Sequence, residues 1–544
     1  MSDRELPARP NLEQYKKQAR DLVRECGFGL SDALARVRKH HPRFHALQEA
    51  GFDGSQLTRT DAQLVLAREH GFESWPRFAK HIEMVHLIRS VAELKDPVAA
   101  FLEVACVPRH GWHGSGTLEH AEMILVRYPE VAAANIFTAA VRGDEASVCR
   151  LLERDTMLAT AKGGPHAWDV LTYLCFSRYL RLDQARSEAF VRTARALLDA
   201  GASAKTGWVE MIDHPNPRPT FESALYGAAG VAQNTELTRL LMERGAYPND
   251  EEVPYHVAET YDNTTMKIIV ESGALNDVSL TTMLLRKADW HDYEGMKYLL
   301  ERGADPNRMT HWKQNTLHQS LRRDNGIDMV DLLLDCGGDP AIENLRDGRT
   351  AASMAVWRGR GDVLRSLERR GIAVALTDVE RLIAACAKGD GAAVRAFKED
   401  ELVRQVIAEG GTLLAEFAGN GNTEGVELLL GLGVNVMALY GGDPYFEIPK
   451  DSTALHVAAW RARHTTVAFL LENGAAVDVP DGKGRTPLAL AVRACVDSHW
   501  MGQRTPESVR LLLEAGASIG GIDFPCGYDE VDGLLREHRA DVDS

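Results

Sequence analysis

Ser452-Thr453-Ala454-Leu455-His456-Val457-Ala458-Ala459 leads on to Leu470-Leu471-Glu472-Asn473-Gly474-Ala475. In the first phrase a hydroxyl side chain precedes a run of small and apolar residues, as at the capped start of a short helix. In the second, two leucines stand just before a glycine. They read as the apolar face of a second helix and the left-handed residue that ends it. Both phrases then recur, as Arg485-Thr486-Pro487-Leu488-Ala489-Leu490-Ala491 and as Leu512-Leu513 before Gly516.

Upstream, the leucine-pair phrase returns at Leu197-Leu198, Leu241-Met242, Ile269-Val270, Leu299-Leu300, Leu333-Leu334, Leu367 and Leu429-Leu430, each just ahead of a glycine. Asn315-Thr316-Leu317-His318 and Arg349-Thr350-Ala351-Ala352 are looser copies of the front phrase. An early copy without glycine runs from Asn135 to Glu153, and the long gap between Gly371 and Gly433 hides a degenerate one around Leu382–Phe397. The spacing centres on about 33 residues, the length of a two-helix repeat. No such unit buries its apolar face alone, so stacking must supply the core. Asp305-Pro306-Asn307 reads as the turn into the next unit.

These phrases closely resemble the Thr-Pro-Leu-His-x-Ala signature of ankyrin repeats. The predicted fold is therefore all-α, an α-solenoid of about eleven ankyrin units over residues 131–521. A helical N-terminal region at 1–125 precedes it, and a C-terminal cap and acidic tail at 522–544 follows. Helices are expected at Leu12–Arg24, Thr60–Glu69, Pro76–Leu87 and Asp529–Glu537. Leu6–Gln14, Asp61-Ala62-Gln63-Leu64 and Gly71-Phe72-Glu73-Ser74-Trp75-Pro76 are similar to the helical leader of bacterial ankyrin-repeat proteins. The resemblance implies binding and no particular reaction, since the fold hosts many functions.

Composition narrows the function. The 544 residues carry 62 Lys+Arg against 78 Asp+Glu, a formal charge of −16. That balance argues against general nucleic-acid binding, which needs an excess of basic side chains to neutralise phosphates. No apolar run approaches the roughly 18 residues of a membrane helix, and the first residues do not form a secretory signal. The eight cysteines are scattered without a C-x-x-C pair, as suits buried thiols in a reducing cytoplasm. A cytoplasmic protein is expected.

In each unit, the positions at the end of the inner helix should face the concave groove. They include Glu259, Asp289 with Trp290, Arg322 with Arg323, Trp357 with Arg358, Trp460 with Arg461, and Arg493. Three of the nine tryptophans fall in this series. Exposed Trp and Arg are the residue types that anchor binding sites. Insertions at Arg178–Phe190, at the proline-bearing run Lys205–Thr220, at Gly441–Asp451 and at Asp497–Thr505 should form loops on one face.

The leading expectation is a scaffold that holds a protein or peptide segment, polar or anionic, along a Trp/Arg-bearing groove. The competing one is a small polar ligand site, or a hydrolase- or isomerase-type enzyme, using Glu259, Asp289, His291 and Asp292 as acids and bases. No P-loop, G-x-S-x-G, H-E-x-x-H or G-x-G-x-x-G motif occurs. Cys106, His110, His113 and His120 have ligand-like spacing but lack two short clips, so neither a metal nor a cofactor is expected. His318 and His456 occupy the signature histidine position, where bonding backbone between units is the expected role.

Overall fold

The computed structural model describes residues 4–542, apart from 5, 8, 46–56, 213–217, 398–399, 498–503 and 523. The chain divides into two compact units, Met1–Ala246 and Tyr247–Ser544. The described residues are mostly helical, with two short antiparallel strand pairs among them, Lys162–Gly163 with Trp168–Asp169 and Gly207–Ile212 with Arg218–Ser223. No described helix is long and apolar enough to cross a membrane.

The second unit shows how the repeated phrases fold. Inner helices Asp277–Asp289, Thr316–Arg322, Ala351–Trp357, Ala454–Trp460 and Pro487–Val496 alternate with outer helices Tyr293–Leu300, Ile327–Asp335, Gly361–Arg369, His464–Glu472 and Glu507–Glu514. The expected threonine caps form at Thr350 and Thr486, which accept from Ser353 N and Ala489 N; in the looser copy Asn315 takes the place of Thr316 and accepts from His318 N. The first leucine of each pair, as in Leu299, Leu333, Leu470 and Leu512, is fully buried. Gly303 takes a φ of +88°, and Ala304 N donates to Leu299 O at 3.1 Å, closing the outer helix as a left-handed C-cap does.

Polar contacts tie each unit to the next. His318 Nε2 lies 3.0 Å from Ile342 O and His456 Nε2 lies 3.2 Å from Arg485 O, the backbone role expected of these histidines. Asn307, from the Asp-Pro-Asn turn, donates to Gly337 O and accepts from Asp339 N, both at 2.8 Å. In the degenerate stretch, helices Asp378–Ala387 and Gly391–Ala396 are followed by an additional helix, Asp400–Ala408. The first two are the helix pair hidden in the long glycine gap, and the added helix lies between that pair and the next.

The first unit opens with helices Leu12–Gly27, Ser31–His40, Arg59–Glu69 and Trp75–Ala92. They enclose Ala19, Leu22, Val37, Phe44, Val65 and Leu66. The helix at Ser31–His40 was not expected; its buried positions, Ala33 and Val37, are few and its charged face is dense. Two expected loops are ordered elements instead. Arg178–Leu182 is helical and leads by a short turn into Ser187–Asp199, while the Lys205–Thr220 run supplies most of a β-ribbon. Ribbon pairing satisfies backbone groups that a bare loop would leave to solvent. The final helix spans Asp529–Val542, longer than expected.

Candidate functional site

Within the second unit, the ends of successive inner helices bring Glu259, Arg286, Asp289, Trp290, His291 and Arg323 to one recess of about 500 Å3. Trp460, Arg493 and Asp497, from later in the chain, line it as well. Its remaining wall is Tyr445-Phe446-Glu447, the centre of the Gly441–Asp451 insertion. The insertion is pinned by Tyr440 N donating to Ser452 O at 2.7 Å and by paired Asp443–Ile448 backbone bonds. Trp460 Nε1 donates to Phe446 O at 3.0 Å. A smaller recess, lined by Tyr255, Trp312, Arg322, Arg323 and Arg346, shares Tyr445 as a wall.

The charges of the recess are matched in pairs. Arg286 bridges Glu259 and Asp289 while lying 3.9 Å from the centre of the Tyr255 ring. Arg323 donates to Asp289 at 2.5 Å and covers Tyr445 at 3.6 Å. Arg493 pairs with Glu447 and lies 4.8 Å from the Trp460 ring centre. Gln319 also donates to Asp289. Such rings combine apolar area with cation–π contact, a composition suited to recognising a partly polar group.

The protonation of these groups follows from their neighbours. Burial pushes the Glu259 carboxyl up, but hydrogen bonds and charge from His256 and Arg286 outweigh it and hold the group below its ordinary range. Burial pulls His256 down, yet Glu252 and Glu259 on either side raise it to about 9. Burial lowers His291, whose Nδ1 lies 3.1 Å from Asn325 Nδ2. Glu259 is therefore an anion at neutral pH, which does not equip it to donate a proton. Asp292 lies away from the recess. It caps the helix Tyr293–Leu300 through Gly295 N, pairs with the buried Lys287 at 2.9 Å, and accepts from Asn263.

Several residues assigned to an open groove are placed otherwise. Arg358 and Arg461 converge on the buried Asp324, at 3.0 and 2.5 Å. Arg358 also meets Glu416 at 3.2 Å, and Tyr440 donates to that carboxylate at 2.8 Å. These two arginines fill an internal ion cluster because carboxylates from neighbouring units lie within reach. Trp460 is buried beneath Phe446. Trp357 lies outside the recess and donates to Glu380 at 3.2 Å. Arg322 lies 5.1 Å from the Tyr445 ring centre, in the smaller recess.

Sequence reasoning missed Tyr445 and Phe446 as walls, although their insertion was visible. It also missed Asp324, whose φ of +56° occupies a position that glycine holds in other units, such as Gly359. His291 shares that conformation, at +52°. A non-glycine residue in this region is uncommon, and Asp and His tolerate it better than most.

Residues 420–523 match the family model of ankyrin repeats in three copies. The chain carries ankyrin repeats. The crystal structure of the human ASB11 ankyrin repeat domain aligns with 47% of this chain and 96% of its own, at 21% identity and a TM-score of 0.21. A Danio rerio protein named "Putative palmitoyltransferase ZDHHC13" is 26% identical over 127 residues, 23% of this chain and 18% of that protein. The chain thus spans less than a fifth of that relative's length.

Proposed function

We propose that this protein is an ankyrin-repeat interaction scaffold whose second unit grips a protein or peptide segment at the recess between Trp290 and Tyr445. One observation carries the reading: Glu259, Asp289, Trp290, Arg323, Trp460 and Arg493, chosen by their place in the repeat, line a single aromatic recess. Its arginines are already paired, so an entering group gains ring contact and shared hydrogen bonds without leaving a charge buried alone. The pairing of inner and outer helices at each leucine phrase supports counting about eleven units across 131–521. In the same reading, 1–125 serves as leader and 522–544 as cap, in a cytoplasmic protein.

The test compares wild type, Trp290→Ala/Tyr445→Ala and the surface control Tyr247→Ala as baits in quantitative pull-downs. Partners enriched by wild type and by the control should be lost from the double variant. Equal recovery by all three baits would refute the assignment of the recess.

The bounded volume of the recess favours a second reading, a small polar molecule, since ligand pockets commonly enclose roughly 300–1,000 Å3. Thermal-shift screening against metabolites separates the two, because a ligand that binds the folded state raises the melting temperature by mass action. As a proton donor in an acid–base enzyme, Glu259 gains no support, since its neighbours hold it ionised.

A further inference from the structure

The ribbon Gly207–Ile212/Arg218–Ser223 in the first unit is built inside out. Strand alternation places Trp208, Glu210, Thr220 and Glu222 on one face, and all four are buried. Val209, Met211 and Phe221, on the other face, are exposed. An ordinary half-buried ribbon does the opposite. Here two carboxylates are carried inward, Glu210 to 7% and Glu222 to 1% exposure.

His113 meets them there, itself 6% exposed. Its Nε2 lies 3.2 Å from Glu210 Oε2, and its Nδ1 lies 3.9 Å from Glu222 Oε2. The Tyr226 hydroxyl is 2.9 Å from Nδ1, while Trp208 and Phe176 flank the ring at 5.7 and 6.3 Å. One ligand atom from each of His113, Glu210 and Glu222 lies within 4.8 Å of the others. At the rim, the exposed His110 brings Nδ1 to 3.4 Å from Glu210 Oε1. Of the residues with ligand-like spacing in the sequence, Cys106 and His120 do not join this group.

We propose that His113, Glu210 and Glu222 form a binding site for one divalent transition-metal ion, with His110 available at the rim as a fourth ligand. Burying an ionised carboxylate costs several kcal/mol unless it is paired or bound to a metal. Two such groups side by side also repel each other. A divalent ion between them would offset both carboxylates. Imidazole together with carboxylates suits zinc, iron or manganese better than magnesium or calcium, which favour all-oxygen sites. Zn–N and Zn–O bonds of about 2.0–2.2 Å need donor atoms up to about 4.4 Å apart. Rotation of the Glu222 carboxylate, whose terminal torsion is soft, closes the remaining gap. The Tyr226 contact at Nδ1 is the orienting partner that metal-bound imidazoles usually have. Bound there, the ion would clamp the His110–Ser115 loop to the ribbon. The site lies in the first unit and does not depend on the function proposed for the second.

The test uses the full chain, stripped with EDTA and dialysed, then titrated with Zn2+, Mn2+ or Mg2+. Elemental analysis of the Zn2+-loaded protein should find one tightly held ion per chain. Zn2+ should raise the melting temperature, Mn2+ should do so less, and Mg2+ should have no effect. Co2+ substitution should give visible absorption bands characteristic of nitrogen and oxygen ligands. Glu210→Gln and Glu222→Gln keep the side-chain shape and should each weaken Zn2+ binding at least tenfold, with the circular dichroism of the metal-free protein unchanged. His110→Asn should weaken it less. Absence of stoichiometric Zn2+ binding at micromolar concentration would overturn the proposal. So would undiminished affinity in both glutamine variants, since the ion would then sit on other histidines or cysteines.

Discussion

Replacing Asp324 with Asn tests whether the buried ion cluster holds the centre of the second unit together. Asp324 and Arg461 each expose 1% of their side chains, and Arg358 exposes 11%. Removing one partner from a buried pair strands the other charge, at about 3–5 kcal/mol. Asn suits the left-handed backbone at φ +56° and keeps an acceptor oxygen, so the expected cost is at the lower end, about 3 kcal/mol. That is a large share of the 5–15 kcal/mol by which a domain is ordinarily stable. Urea denaturation should show the loss as a lower midpoint, and hydrogen exchange should speed up in peptides spanning Ala454–Trp460. The double variant Asp324→Asn/Arg461→Met should cost less than the sum of the single changes, because the stranded cation is gone. Burial pushes the Asp324 carboxyl up, but Arg461 and Arg358 outweigh it and hold it below the ordinary range. Its contribution is therefore present above the unfolded value of about 3.9 and is lost as pH falls through the lower folded value. Asp324→Asn should flatten this acid limb. A midpoint within about 0.5 kcal/mol of wild type, or strict additivity in the double variant, would refute the cluster as a structural clamp.

Other outcomes follow from the same contacts. His256 is raised from 6.5 to about 9, so its stabilisation is complete below 6.5 and lost as pH rises through 9. The melting temperature should fall across that window, and His256→Gln should flatten the profile. Phe446→Ala should cost about 3–5 kcal/mol, as expected for a buried aromatic. It should also uncover Trp460, raising acrylamide quenching of tryptophan fluorescence above that of wild type. At Gly361, an added Cβ would collide with the backbone oxygen of Ala387. Gly361→Ala should therefore destabilise by about 1–3 kcal/mol or more, measured as a shift in the urea midpoint.

The repeat was legible because it is written in local chemistry. Thr350 and Thr486 cap helices through the backbone three residues on, and Gly303 ends one through its own φ. Contacts between distant repeats leave no such mark. Arg461 reaches Asp324 from far along the chain, and the same place at the end of an inner helix reads as groove-facing at Trp290, Trp357 and Trp460 alike. Only the direction in which the Gly441–Asp451 insertion folds separates a buried Trp460 from the half-buried Trp290 and Trp357. Asp292 was an acid candidate by composition, yet its place at a helix start makes it a cap and the partner of Lys287.

What the sequence determined by itself is the architecture: short-range caps, glycine stops and apolar periodicity repeat often enough to specify paired helices and their stacking. What only the tertiary structure decided is which polar residues meet. The inside-out ribbon around His113 and the roofed recess beside Trp290 each join residues far apart in the chain. Electrostatic and packing energies there depend on distances that no local pattern encodes.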